Sequence, residues 1–290
     1  MKVEVVVIGA GPAGVACAVQ LARLSIPVVL VERSKVGGLA RNASRIENLL
    51  SFPNGISGSR FATLLKKQLA RWQVPTRISE ALNIEKTRDG FSTYLSNGET
   101  IRSKFLVLAT GTVPRKLGVK GEESLISQKK AFYEVVHTPK KWRKVLVIGG
   151  GDAAFDYSIT LALRSKKAII LTRKSPRTFP LLVERALAMG IEIVEGVEVK
   201  KLAVSEDGVL ALSSKGEFFA DGLLIAAGRI PNDGLLESFK PISVNFETSE
   251  TNIEGLYLCG TVHRPSDQRY IAVAASDALL AASCIAKRRG

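Results

Sequence analysis

Val5-Val6-Val7-Ile8-Gly9-Ala10-Gly11-Pro12-Ala13-Gly14, near the start of a 290-residue chain, is the stretch that decides the fold. Four consecutive β-branched residues suit a strand buried on both faces of a parallel sheet. From Pro12 to Leu24 the only breaker is Gly14, so the spacing predicts a helix directly behind the glycines. In a strand-turn-helix unit of this kind Gly9 allows the bend, Gly11 lets the backbone approach a pyrophosphate, and Gly14 lets the helix pack against the strand. The helix, opened by Pro12 and Ala13, turns its positive end toward the phosphates. A second strand is expected over 28–31. Glu32 at its end, 23 residues after Gly9 and followed by Arg33, is placed to accept hydrogen bonds from ribose hydroxyls.

The plan recurs once. A strand over 144–148 leads into Gly149-Gly150-Gly151-Asp152-Ala153-Ala154, a helix from about Ala153 and a strand over 168–171. Gly149, Gly151, Asp152 and Ala153 form the second phosphate turn. The position matching Glu32 is basic here: Arg173 lies 24 residues after Gly149, with Lys174 and Arg177 close behind. A guanidinium pairs with a 2′-phosphate that a ribose-binding glutamate would repel, so NADPH is expected over NADH. Glycine-rich turns also occur without ligands, but two copies with fitting downstream residues make nucleotide binding the stronger reading. Two dinucleotides on one chain can supply a hydride donor and a second redox ring, which points to electron transfer.

Composition narrows the class. A chain of this length with 46% hydrophobic residues can bury more than one core, so two domains are expected. The start imitates a targeting signal, because no formal charge falls between Val5 and Ala22. The glycines interrupt that run where a phosphate turn needs them and Glu4 precedes it, so the reading is a soluble, cytoplasmic protein without a membrane segment. Cys17, Cys259 and Cys284 are the only cysteines and form no CxxC pair; they read as small core residues, and no metal site is expected. The net charge of +14 exceeds what two nucleotides need. It suggests an acidic protein partner such as a ferredoxin, or simply a solvated basic surface. No zinc finger, RNA-binding aromatic motif or helix-turn-helix supports nucleic acid as the partner.

Further motifs resemble those of the low-molecular-weight thioredoxin reductase family, in which an FAD domain is interrupted by an NADPH domain. They are Gly37-Gly38, Glu47-Asn48, Phe52-Pro53 and Gly55-Ile56-Ser57-Gly58; Ala109-Thr110-Gly111; and the run from Asp221 to Asn232, with Gly228. The strand over 256–259, the turn Gly260-Thr261 and a helix over about 272–286 complete the match. The resemblance implies an α/β fold of two Rossmann-like, doubly wound domains. FAD would be held by residues 1–113 and 243–290, and NAD(P) by residues 114–242. It also implies a homodimer, and it adds Gly38, Asn48, Ala109, Thr110, Gly111, Gly260, Thr261, Arg269 and Tyr270 to the FAD site and Gly228 to the set of cofactor residues.

Two departures matter. The family's CxxC dithiol would fall in Phe132-Tyr133-Glu134-Val135-Val136-His137, which has no cysteine, so thioredoxin reduction by thiolate exchange is excluded. Thr261 stands where the family has an aspartate on the FAD ribityl chain; a neutral hydroxyl there is weaker by about 1–2 kcal/mol. Ferredoxin-NADP reductases of this fold also lack the dithiol, but usually carry an extension after the last helix, whereas this chain stops at Gly290. The reading is an FAD-dependent NAD(P)H oxidoreductase whose flavin, not a side chain, passes electrons to an acceptor other than thioredoxin. The alternative is a nucleotide-binding relative without reductase activity; a flavin-independent dehydrogenase lacks a positioned acid or base. His263 follows the Gly260-Thr261 turn closely enough to lie near the cofactor, but a surface loop is the stronger expectation; Tyr270 beside Arg269 is best placed to cap a ring, and Tyr133 and Tyr157 are expected in ordinary packing.

Overall fold

In the computed structural model, which describes residues 1–206 and 208–289, the chain opens with β1 (Lys2–Ile8), α1 (Pro12–Arg23) and β2 (Val28–Glu32). Then come α2 (Gly58–Arg71), β3 (Thr76–Ile78), β4 (Ala81–Thr87), β5 (Gly90–Leu95), β6 (Thr100–Leu108) and β7 (Thr112–Pro114). The middle of the chain forms α3 (Glu122–Ser127), β8 (Ala131–Phe132), β9 (Lys144–Ile148), α4 (Asp152–Leu163), β10 (Lys167–Leu171), α5 (Pro180–Ala188) and β11 (Glu192–Val194). It continues through β12 (Val199–Ser205), β13 (Gly208–Ser213), β14 (Gly216–Ala220), β15 (Gly222–Ile225) and β16 (Arg229–Pro231), and closes with β17 (Leu256–Leu258) and α6 (Ile271–Arg289).

These elements fall into two compact units. The first holds Met1–Arg41, Ile46–Val113 and Pro231–Gly290, of which Gly290, the expected end of the FAD domain, lies outside the described residues. Its sheet runs β3-β2-β1-β6-β5-β4. The strand β6 is long enough to take two partners on one edge: its first half pairs antiparallel with β5, its second half parallel with β17. The run Val5 to Ile8 is buried as its β-branched composition requires, between β2 and β6, both parallel to it. Packing of α1 on α6 covers part of the sheet, and Cys17 and Ala18 lie buried on α1.

The second unit holds Pro114–Ile230 together with Asn42–Arg45. Its parallel sheet runs β11-β10-β9-β15-β8, beside an antiparallel sheet β12-β13-β14. One apolar cluster, with Phe155, Val147 and Leu224, and another, with Leu146, Leu171 and Leu223, form its core. Two charged groups hold Asn42–Arg45: Glu134 accepts from Asn42 Nδ2 at 2.6 Å, and Asp156 accepts from Ser44 N at 2.9 Å. Burial pushes the Asp156 carboxyl above the ordinary range, against the lowering effect of its bonds from Ser44 and Arg45.

The sequence placed the return to the first domain at residue 243; the compact units place it at 231. Leu236 is buried in the core cluster of the first unit that also holds Ile84 and Phe91, and Leu235, Phe239 and Ile242 pack against that cluster. Apolar burial, not the turn motif ending at Asn232, decides the division.

Candidate functional site

The first cradle lies at the C-terminal ends of β1 and β2. Gly14 cannot be anything larger: a Cβ there would sit 1.7 Å from the Gly9 carbonyl oxygen. Gly9 adopts φ +103° and its own Cβ would lie 2.3 Å from the Ala109 carbonyl oxygen. Gly11 is different. Its backbone is extended, with φ −72°, and an added Cβ would meet no atom within 4 Å. Neither conformation nor packing demands glycine at 11, so the open space above it is what the residue preserves. Gly38 comes close to the same point, its Cβ position 3.0 Å from the Gly11 Cα. Pro12 opens α1 and Ala13 follows, as expected of a helix N-terminus aimed at a phosphate.

Glu32 is buried at the end of β2, and its carboxylate is fixed from both sides. One oxygen accepts from Ala10 N at 2.8 Å, the other from Ser34 N at 2.9 Å. Each oxygen keeps a lone pair for a ribose hydroxyl. Arg33 and Asn48 are exposed. At the end of β6 Ala109 is buried, Thr110 donates its hydroxyl to the Asn232 carbonyl at 2.7 Å, and Gly111 turns with φ +71°. Thr261 reaches this turn, its Oγ1 lying 3.5 Å from where a Gly111 Cβ would be. Gly260 and Thr261 therefore share the cradle with 109–111, while Arg269 donates to the Arg264 carbonyl at 3.3 Å and Tyr270 is exposed.

The second cradle is a cavity of about 790 Å³ in the second unit. The ends of β9, β10 and β15 line it through Gly149 to Ala153, Thr172 to Ser175 with Arg177, and Ala226 to Gly228. Gly149 takes φ +151°, and Gly150 is pressed on Thr172, its Cβ position 2.3 Å from Oγ1. Gly151 repeats the behaviour of Gly11: φ is −103°, and a Cβ would meet only the Arg177 carbonyl oxygen, at 3.9 Å. Arg173, Lys174 and Arg177 are exposed cations on the rim. The Arg177 amide donates to the Gly150 carbonyl at 2.7 Å, which ties the basic loop to the glycine turn. Asp152 accepts from the Thr178 hydroxyl at 2.7 Å, a second tie between the same segments. Gly228 adopts φ +104°, which only glycine tolerates freely.

The profile of the pyridine nucleotide-disulphide oxidoreductases matches residues 3–277. The chain belongs to that family. It is 28% identical to the thioredoxin reductase of Treponema pallidum over 98% of this chain and 96% of the relative. The structure superimposes on the thioredoxin reductase of Lactococcus lactis with a TM-score of 0.89 at 25% identity, covering 99% and 98% of the two chains. On the bacillithiol disulfide reductase of Staphylococcus aureus it does so with a TM-score of 0.81 at 21% identity over the whole of both, a likeness of fold alone. The fold is the two-Rossmann-domain α/β architecture that the motifs imply. Thioredoxin reductase-like members of the family use FAD and NADPH. Both cradles fit such groups, because Gly11 keeps space that no protein atom enters and Gly151 keeps space that only the Arg177 carbonyl oxygen, at 3.9 Å, touches.

In this family member the segment 132–137, where the resemblance places a dithiol, carries a half-buried carboxylate. Glu134 accepts from Arg229 Nη1 at 2.6 Å and from the Tyr157 hydroxyl at 2.8 Å, besides Asn42. Tyr133 donates to Glu122 at 2.9 Å. Both tyrosines sit in the packing their apolar bodies suggested. The three cysteines are free; burial pushes the Cys17 thiol up to about 12 and the Cys259 thiol well above its usual range, which suppresses the thiolate. Among the described residues no cluster of three or more His, Cys, Asp or Glu could hold a metal, and no helix is long and apolar enough to cross a membrane.

One expectation fails. His263 is not a surface-loop residue: its side chain is 5% exposed, packed on Phe246 and 3.6 Å from the Asp277 carboxylate. Asp277 itself escaped the sequence reading. It is fully buried on α6, where it accepts from Gly260 N at 3.0 Å and from Arg264 Nη2 at 2.5 Å. Its signal was a lone acid within the apolar run from Ile271 to Ile285. Arg115 and Lys116, which line the second cavity, also went unread, because they lie far from either fingerprint in sequence.

Proposed function

We propose that this chain is an FAD-dependent NAD(P)H oxidoreductase without a redox-active disulfide, delivering electrons to an acceptor other than thioredoxin. The observation that carries the reading is the pair Gly11 and Gly151, glycines that neither fold nor conformation requires and that a pyrophosphate explains. Glu32, Ala109 to Gly111, Gly260 and Thr261 would hold FAD, with Gly9, Gly11 and Gly14 shaping the turn beneath it. Gly149, Gly151, Asp152 and Ala153 would hold the pyrophosphate of the nicotinamide cofactor, and Arg173, Lys174 and Arg177 its 2′-phosphate. FAD, when bound, supplies the capacity to take up a hydride equivalent and release the electrons onward. The chain's own residues bind and orient: no side chain is assigned a covalent step, so catalysis is positioning and electrostatics.

The net charge of +14 favours an acidic acceptor. We read the protein as a cytoplasmic homodimer, and analytical ultracentrifugation tests the dimer. The deciding experiment is a visible spectrum of the purified protein supplied with FAD, repeated after NADPH is added without oxygen. Bleaching of the flavin band supports the reading. A bound flavin that stays oxidised counts against NADPH as donor. The absence of bound flavin supports the second reading, a nucleotide-binding relative without reductase activity, which Thr261 in place of a carboxylate favours.

A further inference from the structure

Five cations line the cavity of the second unit, and the fingerprint accounts for three of them. The order β11-β10-β9-β15-β8 shows what the others face. Arg173, Lys174 and Arg177 follow β10, and the phosphate turn follows β9. A dinucleotide with its 2′-phosphate at β10 and its pyrophosphate at β9 must run on toward the end of β15, since ligands of such sheets lie across the carboxyl ends of the strands. Arg115 stands there: its amide donates to the carbonyl of Gly228, just after β15, at 2.9 Å. Among the described residues no ion pair engages its guanidinium. Lys116 is spent otherwise, paired with Glu123 at 2.8 Å on the open surface.

The loop that carries Arg115 is built to stay in place. Glu122, only 2% exposed, accepts from Leu117 N at 2.9 Å, from Gly118 N at 2.7 Å and from the Tyr133 hydroxyl at 2.9 Å. Leu117 and Val119 pack on the core beneath, and the Lys120 carbonyl accepts from Leu202 N at 2.9 Å. A buried carboxylate with three donors fixes a loop whose charged end is left free, an arrangement that lowers the cost of ordering a ligand contact.

We propose that Arg115 binds the part of the dinucleotide common to NADPH and NADH, the pyrophosphate and its nicotinamide-side ribose, and that Glu122 is the residue positioning it. This rests on the reading of the second unit as the pyridine-nucleotide domain. The contact deepens that reading: affinity for the shared half is set at β15, selectivity for the 2′-phosphate at β10.

The test is equilibrium titration of NADPH and of NADH onto the full chain at one fixed ionic strength, for the wild type and for Arg115→Ala, Arg115→Lys, Arg173→Ala, Glu122→Gln and the double variant Arg115→Ala/Glu122→Gln. Loss of one charge-assisted contact in Arg115→Ala should weaken both nucleotides about tenfold and leave their ratio unchanged, with Arg115→Lys retaining part of the affinity. Arg173→Ala should weaken NADPH alone. Glu122→Gln should weaken both nucleotides about threefold, and the double variant should bind no worse than Arg115→Ala, because the two residues act through one contact. Unchanged affinities in Arg115→Ala, or a loss confined to NADPH, overturns the proposal while the domain reading stands. A wild type that binds neither nucleotide overturns the domain reading itself. Thermal melts establish that each variant is folded, and should Glu122→Gln not fold, Arg115→Ala decides alone.

Discussion

At the residue scale the two kinds of glycine make opposite predictions. Gly11→Ala fits an extended backbone with open space, so it should leave the fold unharmed or firmer by about 0.5 kcal/mol through the unfolded chain, and still weaken FAD binding. Gly14→Ala drives a methyl group into the Gly9 carbonyl and should cost about 2 kcal/mol or more of stability. Melting curves and flavin titration of the two variants separate a ligand glycine from a packing glycine; equal behaviour refutes the distinction. Thr261→Asp, restoring a carboxylate beside Gly111, should tighten FAD by roughly tenfold, as a quenching titration of flavin fluorescence would register. The turns were legible in the letters because a glycine turn is local: three residues and their spacing specify it. What the letters left unsaid is which of the glycines is confined by protein atoms and which faces open space, a matter of atoms contributed by Ala109, 95 positions after Gly14.

At the element scale the turn from Gly260 to Val262 and the helix α6 form one device. Asp277 holds the Gly260 amide and the Arg264 guanidinium, and the guanidinium also lies over the Phe246 ring at 4.6 Å. Asp277→Ala leaves that cation without its buried partner and should destabilise the protein by about 3 kcal/mol, seen as a lowered denaturation midpoint. Burial holds the pKa of His263 below its ordinary value; Asp277 opposes that shift and Arg264 adds to it. With the folded value depressed, the unfolded chain takes up the proton first, so the neutral imidazole's contribution is intact above about pH 6.5 and is lost as the pH falls below it. The drop in melting temperature between pH 7 and pH 5 should therefore be smaller in His263→Leu than in the wild type. An equal drop would show that His263 does not titrate with folding. A helix of mainly apolar residues was readable from composition, but the partner of its single acid was not.

For the whole molecule the thiols offer the sharpest prediction. With Cys17 and Cys259 buried and protonated and Glu134 in the segment expected to hold a dithiol, anaerobic reduction of bound flavin by NADPH should survive full treatment with a thiol alkylator. Loss of that reduction would mean a cysteine takes part. The division into units belongs to this scale as well. Leu236 and its apolar neighbours lie in the first core although the motif before them ends a strand of the second, so residues 231–242 changed sides.

By itself the sequence determined the two strand-turn-helix units, their acidic and basic downstream ends and the absence of a CxxC pair, because each is written in neighbouring residues or in a spacing within one unit. The tertiary structure alone decided where the second unit ends, that His263 is buried, that Asp277 secures the Gly260 turn and that Arg115 stands beside Gly228. Each of those rests on contact between residues far apart in the chain, and burial and hydrogen bonding depend on distance in space, which spacing along a sequence does not encode.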